Sequence, residues 1–180
     1  MKLRWEIRLS GTGGQGLVLA GVILASASSL AGKNVVQTQT YGPESRGGSS
    51  KSEVIIDEEE IDYPKVLLPN VLLVLSQSAL DKYAKCIDNQ GVIITDSSLN
   101  TSDFRNELTT LYKVPIIKTA KEVIGKSIVT NMVALGALIR ATNIASKELL
   151  YKAMKSYVPV GTENLNKKAI DIGYELIDKN

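Results

Sequence analysis

Along the chain, short runs rich in β-branched residues alternate with longer stretches in which apolar residues recur every three or four positions. Switching between those two periods is the pattern of a parallel sheet covered by helices. Strands are predicted at residues 5–9, 34–40, 53–56, 71–75, 92–95 and 114–118, and their apolar runs imply burial on both faces. Helices are predicted at 17–31, 79–86, 127–142, 146–157 and 162–178. In the third, Ile128, Met132, Leu135 and Ile139 share one face, so this helix is expected to cross the core. Ser146, three residues ahead of Leu149, reads as a helix cap, whereas Thr162 and Leu165 lack the reciprocal Glu or Gln of a capping box. The expected fold is α/β: a Rossmann-like, mostly parallel sheet flanked by helices, with C-terminal helices.

Two segments fit neither period. One is "YGPESRGGSS" at 41–50; the other is 57–69, which opens with the acidic run Asp57-Glu58-Glu59-Glu60. That run reads as a solvated turn, since adjacent carboxylates need not converge on a metal. With 180 residues, no repeat and no Pro- or Ser-rich linker, the chain is expected to form one domain over 1–180. Its 44% hydrophobic and 22% charged residues are ordinary for a globular protein, and a net charge of +2 is too small for a nucleic-acid footprint. Cys86 is the single cysteine, so an internal disulfide, a Cys-rich zinc site and an iron-sulfur cluster cannot be built from this chain alone. On a predicted helix it is expected to be a small core residue. Such cysteine use suits a cytoplasmic protein. Glu6 and Arg8 interrupt any signal-peptide core, and the apolar stretches at 17–30 and 128–139 fall short of a bilayer span, so the chain is expected to be soluble, without a membrane partner.

The candidate chemistry begins at Gly11-Thr12-Gly13-Gly14-Gln15-Gly16, which has G-x-G-x-x-G spacing between a predicted strand and a predicted helix. In such a loop Gly11 would permit the tight turn, Gly13 would let backbone approach a ligand, and Gly16 would allow close helix–strand packing. The helix N-terminus would then offer amides and a positive dipole to an anion. A phosphate-bearing ligand is the sharp reading; a ligand-free tight turn is the plain one. The second predicted strand ends Val36-Gln37-Thr38-Gln39-Thr40, without the acid that binds the ribose of a dinucleotide, and Leu17-Val18 follow Gly16 where a Walker loop needs Lys and Ser or Thr. These departures argue against NAD and against an NTPase. The loop after the second strand shares that sheet edge, and its Arg46, flanked by Gly47 and Gly48, suits a carboxylate, a phosphate or a facing protein surface, or simply a local acid such as Glu44. Asp96-Ser97-Ser98 stands at the same edge, where a polar ligand contact is conceivable. With no histidine, Ser-His-Asp and Cys-His chemistry is excluded, which speaks against a self-contained hydrolase.

In this order, "RLSGTGGQG", "TYGPESRGGSS" and "SIVTNMVALGAL" give the chain a resemblance, over nearly its whole length, to the gamma subunit or gamma domain of the 2-oxoacid:ferredoxin (acceptor) oxidoreductases. By overall look the 2-oxoglutarate-specific version is the best fit. The resemblance implies an assembly that oxidatively decarboxylates a 2-oxoacid to its acyl-CoA. Thiamine diphosphate and iron-sulfur clusters belong there to partner subunits, alpha and beta, with a ferredoxin-like delta as a further candidate. Coenzyme A is the one ligand left open for this chain. Carried over residue by residue, the expected binding positions are Gly11, Thr12, Gly13, Gly14, Gln15, Gly16, Arg46, Gly47 and Gly48, with no catalytic residue and no metal. They would contact coenzyme A phosphates or pack against the thiamine-bearing subunits. A subunit of this kind is expected to be inactive alone and to self-associate when isolated. The competing reading is a stand-alone nucleotide- or metabolite-binding sensor.

Overall fold

The computed structural model of the chain describes residues 4–40, 49–104 and 108–178. One six-stranded sheet runs in the order β2-β3-β1-β4-β5-β6. Its strands are β1 (Trp5–Thr12), β2 (Asn34–Thr40), β3 (Ser49–Asp57), β4 (Val71–Val74), β5 (Val92–Asp96) and β6 (Thr110–Val114). Neighbours β1, β4, β5 and β6 are parallel, while β3 lies antiparallel to both β1 and β2. Five strands therefore point one way, and the sheet is mostly parallel, as expected. Both β1 and β3 outrun their predicted ends. Ser10, Gly11 and Thr12 pair with Lys51, Ser50 and Ser49, so polar residues that read as loop find ladder partners in each other.

The side chains alternate cleanly between two layers. Ile7 and Leu9 of β1, Val54 and Ile56 of β3, Leu73 and Ile94 face a large core with α1 (Leu17–Leu30), α4 (Thr130–Thr142), α5 (Lys147–Lys155) and α6 (Glu163–Asp178). Each such fully buried aliphatic contributes about 1.5–3 kcal/mol of hydrophobic stabilisation. The other face carries Leu72, Val74 and Ile93 against Ala79 and Leu80 of α2 (Gln77–Tyr83). Further along that face the layer turns polar. Arg8 and Glu53 are both buried, with Arg8 Nε donating to Glu53 Oε1 at 2.7 Å and Nη2 to the Val66 carbonyl at 3.1 Å. The guanidinium lies 5.0 Å from the centroid of the Tyr83 ring, and Lys51 Nζ is 3.1 Å from Glu53 Oε2. Arg8 thereby straps the extended segment around Val66 across the sheet.

Three expectations need correction. The predicted strand at 114–118 is displaced: β6 ends at Val114, and Ile116–Lys118 forms a single helical turn, α3. Pro115 has no amide for a ladder bond, and the Ile117 amide turns to the Asp96 carboxylate instead, at 2.7 Å. The helix predicted from 127 starts as a 3-10 turn, Ser127–Val129, and becomes α-helical at Thr130. A 3-10 turn advances about 120° per residue rather than 100°, so Ile128 drops out of the apolar face and is 81% exposed, while Met132, Leu135 and Ile139 stay buried. Cys86 is exposed rather than in the core, because α2 tightens into a 3-10 turn, Ala84–Cys86, that keeps Ala84 inside.

Other expectations hold. α4 crosses the core, with every residue from Thr130 to Ile139 buried. Ser146 Oγ accepts the Leu149 amide at 3.3 Å. The acidic run is a solvated turn from Glu58, which pairs with Lys33 at 2.6 Å, while Asp57 ends β3 and lies 3.4 Å from Arg4 Nη1. The tightest packing in the fold is where α4 crosses α6: a Cβ on Gly136 would stand 2.1 Å from the Ile170 carbonyl oxygen, and one on Gly173 2.0 Å from that of Val133. Only two glycines let these backbones touch. Among the described residues no helix is long and apolar enough to cross a membrane.

Candidate functional site

The glycine loop joins β1 to α1 at the C-terminal edge of the sheet, where β1 lies between the antiparallel β3 and the parallel β4. Its conformation is set by one side chain. Gln15 folds back over the strand ends: the Thr12 amide donates to its Oε1 at 2.8 Å, and its Nε2 donates to the Leu75 carbonyl at 3.1 Å. The glycine at position 11 follows from this, since a Cβ there would sit 2.1 Å from Gln15 Oε1. Gly11 is thus a strand residue that makes room for an amide, not the tight turn expected. Gly16 is also differently employed. It caps α1 in the left-handed region at φ 71°, and a Cβ would meet Asn131 Nδ2 at 2.7 Å. Asn131 donates to the Gly16 carbonyl at 3.2 Å, so the close neighbour of Gly16 is the first turn of α4 rather than a strand.

Asn131 is the site residue that sequence reasoning missed. A buried asparagine at the head of an otherwise apolar helix was the available signal, yet nothing local says which carbonyl it will reach. Between the two amide clasps, Thr12, Gly13 and Gly14 are exposed and form the rim of the loop, Gly14 at φ 90°. α1 has no side-chain N-cap and no acidic residue in its first turn, so its positive end lies beside that rim, whereas α4 continues from a 3-10 turn and its Met132 amide donates to Asn131 Oδ1 at 3.0 Å. The loop itself contains no titratable side chain, and its chemistry is restricted to hydrogen bonding and dipole attraction.

In open α/β sheets, ligands settle in the crevice where the strand order reverses. Here that crevice, between the ends of β1 and β4, is filled by Gln15 and closed by the Leu75 amide bonding to the Ser10 carbonyl at 3.0 Å. This geometry agrees with the missing acid at the end of β2 in disfavouring a dinucleotide. Asp96, conceivable as a ligand contact, is instead used up internally. Its Oδ1 accepts the Ser98 amide and hydroxyl at 2.9 and 2.6 Å, and its Oδ2 the Ile117 amide. Arg46, Gly47 and Gly48 lie outside the described residues. Their flanks are nonetheless placed: Ser49 pairs with Thr12 beside the glycine loop, and Thr40 pairs with Lys51 one strand further out.

The described residues thus make a doubly covered α/β sheet whose edge crevice is filled by Gln15 and whose exposed rim, Thr12 to Gly14, offers backbone amides. Residues 6–176 match the family described as pyruvate ferredoxin/flavodoxin oxidoreductase, and the chain belongs to that family. It is 53% identical over 178 residues to the 2-oxoglutarate synthase subunit KorC of Methanocaldococcus jannaschii, covering 98% of this chain and 95% of the relative. Its fold matches the crystal structure of the keto/oxoacid ferredoxin oxidoreductase gamma subunit from Geobacter sulfurreducens, with a TM-score of 0.86, 47% identity and 98% coverage of both chains. It also matches a 2-oxoglutarate:ferredoxin oxidoreductase from Magnetococcus marinus, solved with 2-oxoglutarate, coenzyme A and succinyl-CoA bound, with a TM-score of 0.90 and 25% identity. That match takes in all of this chain but 32% of the longer one. The chain is a gamma-type subunit of an oxidoreductase complex.

Proposed function

We propose that the chain, as one gamma-type domain, serves in a 2-oxoglutarate:acceptor oxidoreductase. The assembled enzyme would convert 2-oxoglutarate and coenzyme A to succinyl-CoA and CO2, passing two electrons to ferredoxin or a similar acceptor. The observation that carries this reading is the 53% identity, nearly end to end, to a 2-oxoglutarate synthase subunit. Thiamine diphosphate and the iron-sulfur clusters are assigned to alpha and beta partners, with a delta chain as a further carrier of clusters. This chain supplies position and electrostatics.

Within that assembly, the rim Thr12-Gly13-Gly14 and the Arg46-Gly47-Gly48 motif form the functional face. What supports an anion there is the uncapped N-terminus of α1, with no acid in its first turn. The phosphates of coenzyme A fit such a rim from outside, above Gln15, and do not fit the plugged crevice beneath it. The same plug leaves a stand-alone sensor without its expected binding cleft.

The test is an affinity pull-down of this chain from its native cells, with the eluate assayed for CoA-dependent decarboxylation of 2-oxoglutarate, pyruvate and branched-chain 2-oxoacids. Partner chains with a preference for 2-oxoglutarate are expected. The chain recovered alone and inactive on all three would overturn the reading. In the reconstituted complex, Arg46→Ala should lower turnover or raise the KM for coenzyme A without changing the stability of the isolated subunit. Unchanged kinetics, or a collapsed fold, would remove Arg46 from the face.

A further inference from the structure

Beside the glycine loop, α1, α4 and the turn between α5 and α6 enclose an open groove of about 370 Å³. Its walls include Leu19, Met132, Tyr157, Val158 and Leu165, and no charged side chain lines it. Asn131 lines it too, and since Asn131 also holds the Gly16 carbonyl, the groove and the glycine loop form one continuous face. Its edge is more apolar than a solvated surface requires. Ile128, on the wall, is 81% exposed, Tyr157 is 43% exposed, and Val160, between the lining residues Pro159 and Thr162, is 97% exposed. One exposed apolar side chain is ordinary; two aliphatics and an aromatic around a single apolar groove mark a surface that something covers.

The relatives indicate what covers it. The same fold is a separate subunit in the M. jannaschii protein, matched over 95% of its length, and 32% of a longer chain in the M. marinus enzyme. A contact made within one polypeptide in the second must be presented as a free surface by the first. Obligate contacts of that kind resemble a core cut in half, with apolar anchors seated in pockets. We infer that this groove is the docking face for the partner chain that corresponds to the remaining length of the M. marinus polypeptide, which inserts an uncharged, apolar anchor between Leu19, Met132 and Leu165 while its neighbouring surface rests on Ile128 and Val160. The inference rests on the subunit reading proposed above. It also accounts for the exposed side of the 3-10 turn that opens α4: the turn that throws Ile128 out of the core delivers it to the partner.

The test is reconstitution of the complex from co-expressed chains with Ile128→Asp and, separately, Val160→Asp. Leu67→Asp serves as the control, because Leu67 is 71% exposed on the segment that Arg8 straps across the opposite face of the sheet. Neither test residue supports the core, so the isolated variants should melt with the wild type. Their affinity for the partner chains should fall by about tenfold or more, the loss expected when a central apolar contact is replaced by a charge. Leu67→Asp should assemble normally. If wild type assembles and both groove variants assemble as tightly, the groove is not the docking face, although the subunit reading stands. If wild type fails to assemble, both fall together. Intact assembly with loss only of self-association would give the groove to a second copy. Intact assembly with a raised KM for coenzyme A would give it to the ligand; either result overturns the proposal, as would equal loss in Leu67→Asp.

Discussion

Replacing Gly136 with alanine tests the packing of the fold through the sign of its effect. In an exposed helix this change stabilises by about 1 kcal/mol, because alanine gives up less backbone entropy than glycine. At Gly136 the new methyl would stand 2.1 Å from the Ile170 carbonyl oxygen and 2.8 Å from the Tyr174 amide nitrogen. Both are backbone atoms of α6, so no side chain can swing aside. Restoring ordinary contact requires α4 and α6 to part by about 1.3 Å at their crossing. A gap of about 0.5–1 Å already forfeits a quarter to a half of the dispersion attraction across it and a wider one forfeits more, and overpacking of this type costs about 1–3 kcal/mol or more. Met132, Val133, Ala169 and Ile170, all buried in the same cluster, share the loss. Net of the helix gain, Gly136→Ala should destabilise the isolated chain by about 2 kcal/mol. Urea unfolding, read as a shift in midpoint at unchanged slope, measures it directly. Gly173→Ala should behave alike, and the double variant should cost less than the two singles together, since one separation accommodates both methyl groups. A Gly136→Ala chain as stable as wild type, or more so, would refute the close crossing.

Two further predictions concern the charged groups. Tyr151 donates its hydroxyl to Asp171, and burial first, then that carboxylate, holds its pKa above the usual tyrosine range. The unfolded chain releases this proton at lower pH than the native one, so stability should decline as the pH rises past about 10, and Tyr151→Phe should remove part of that decline. A tyrosinate absorbance titration in which all seven tyrosines ionise together in the folded state would disprove this. On the other sheet face, Arg8→Met leaves Glu53 buried with Lys51 as its remaining cation, and should cost about 3 kcal/mol by denaturant unfolding. Arg8→Met with Glu53→Leu should recover most of that loss; a double variant less stable than the single would show the buried pair to be net stabilising.

The layers of the sheet were legible because burial on both faces leaves its mark in consecutive apolar residues such as Val71-Leu72-Leu73-Val74. What escaped has a common cause in long-range partners. Ser49, Ser50, Lys51 and Ser52 carry no strand signal of their own and join the sheet because β1 pairs with all four and β2 with Lys51 and Ser52 from the other side. β6 was displaced because Pro115 splits an apolar run whose first half pairs with β5 and whose second half does not. Gly136 was visible as part of a recognisable helix, but its reason is α6, which passes 34 or more residues later in the chain.

The glycine loop carries the same lesson into the site. G-x-G-x-x-G spacing in the right strand-to-helix context admits a nucleotide, and spacing alone does not distinguish a loop open to one from a loop already filled. The deciding residue is Gln15, a variable position of the motif, whose amide satisfies the Thr12 N–H and the Leu75 carbonyl that border the crevice. Gly11 and Gly16 leave the room that the Gln15 and Asn131 side chains occupy. With the inside of the junction occupied by the protein's own amides, whatever this edge of the sheet recognises must be met on the outer rim. An apolar groove begins at that rim, on the far side of Asn131. A subunit that contributes surface to a larger enzyme has reason to be built in this way.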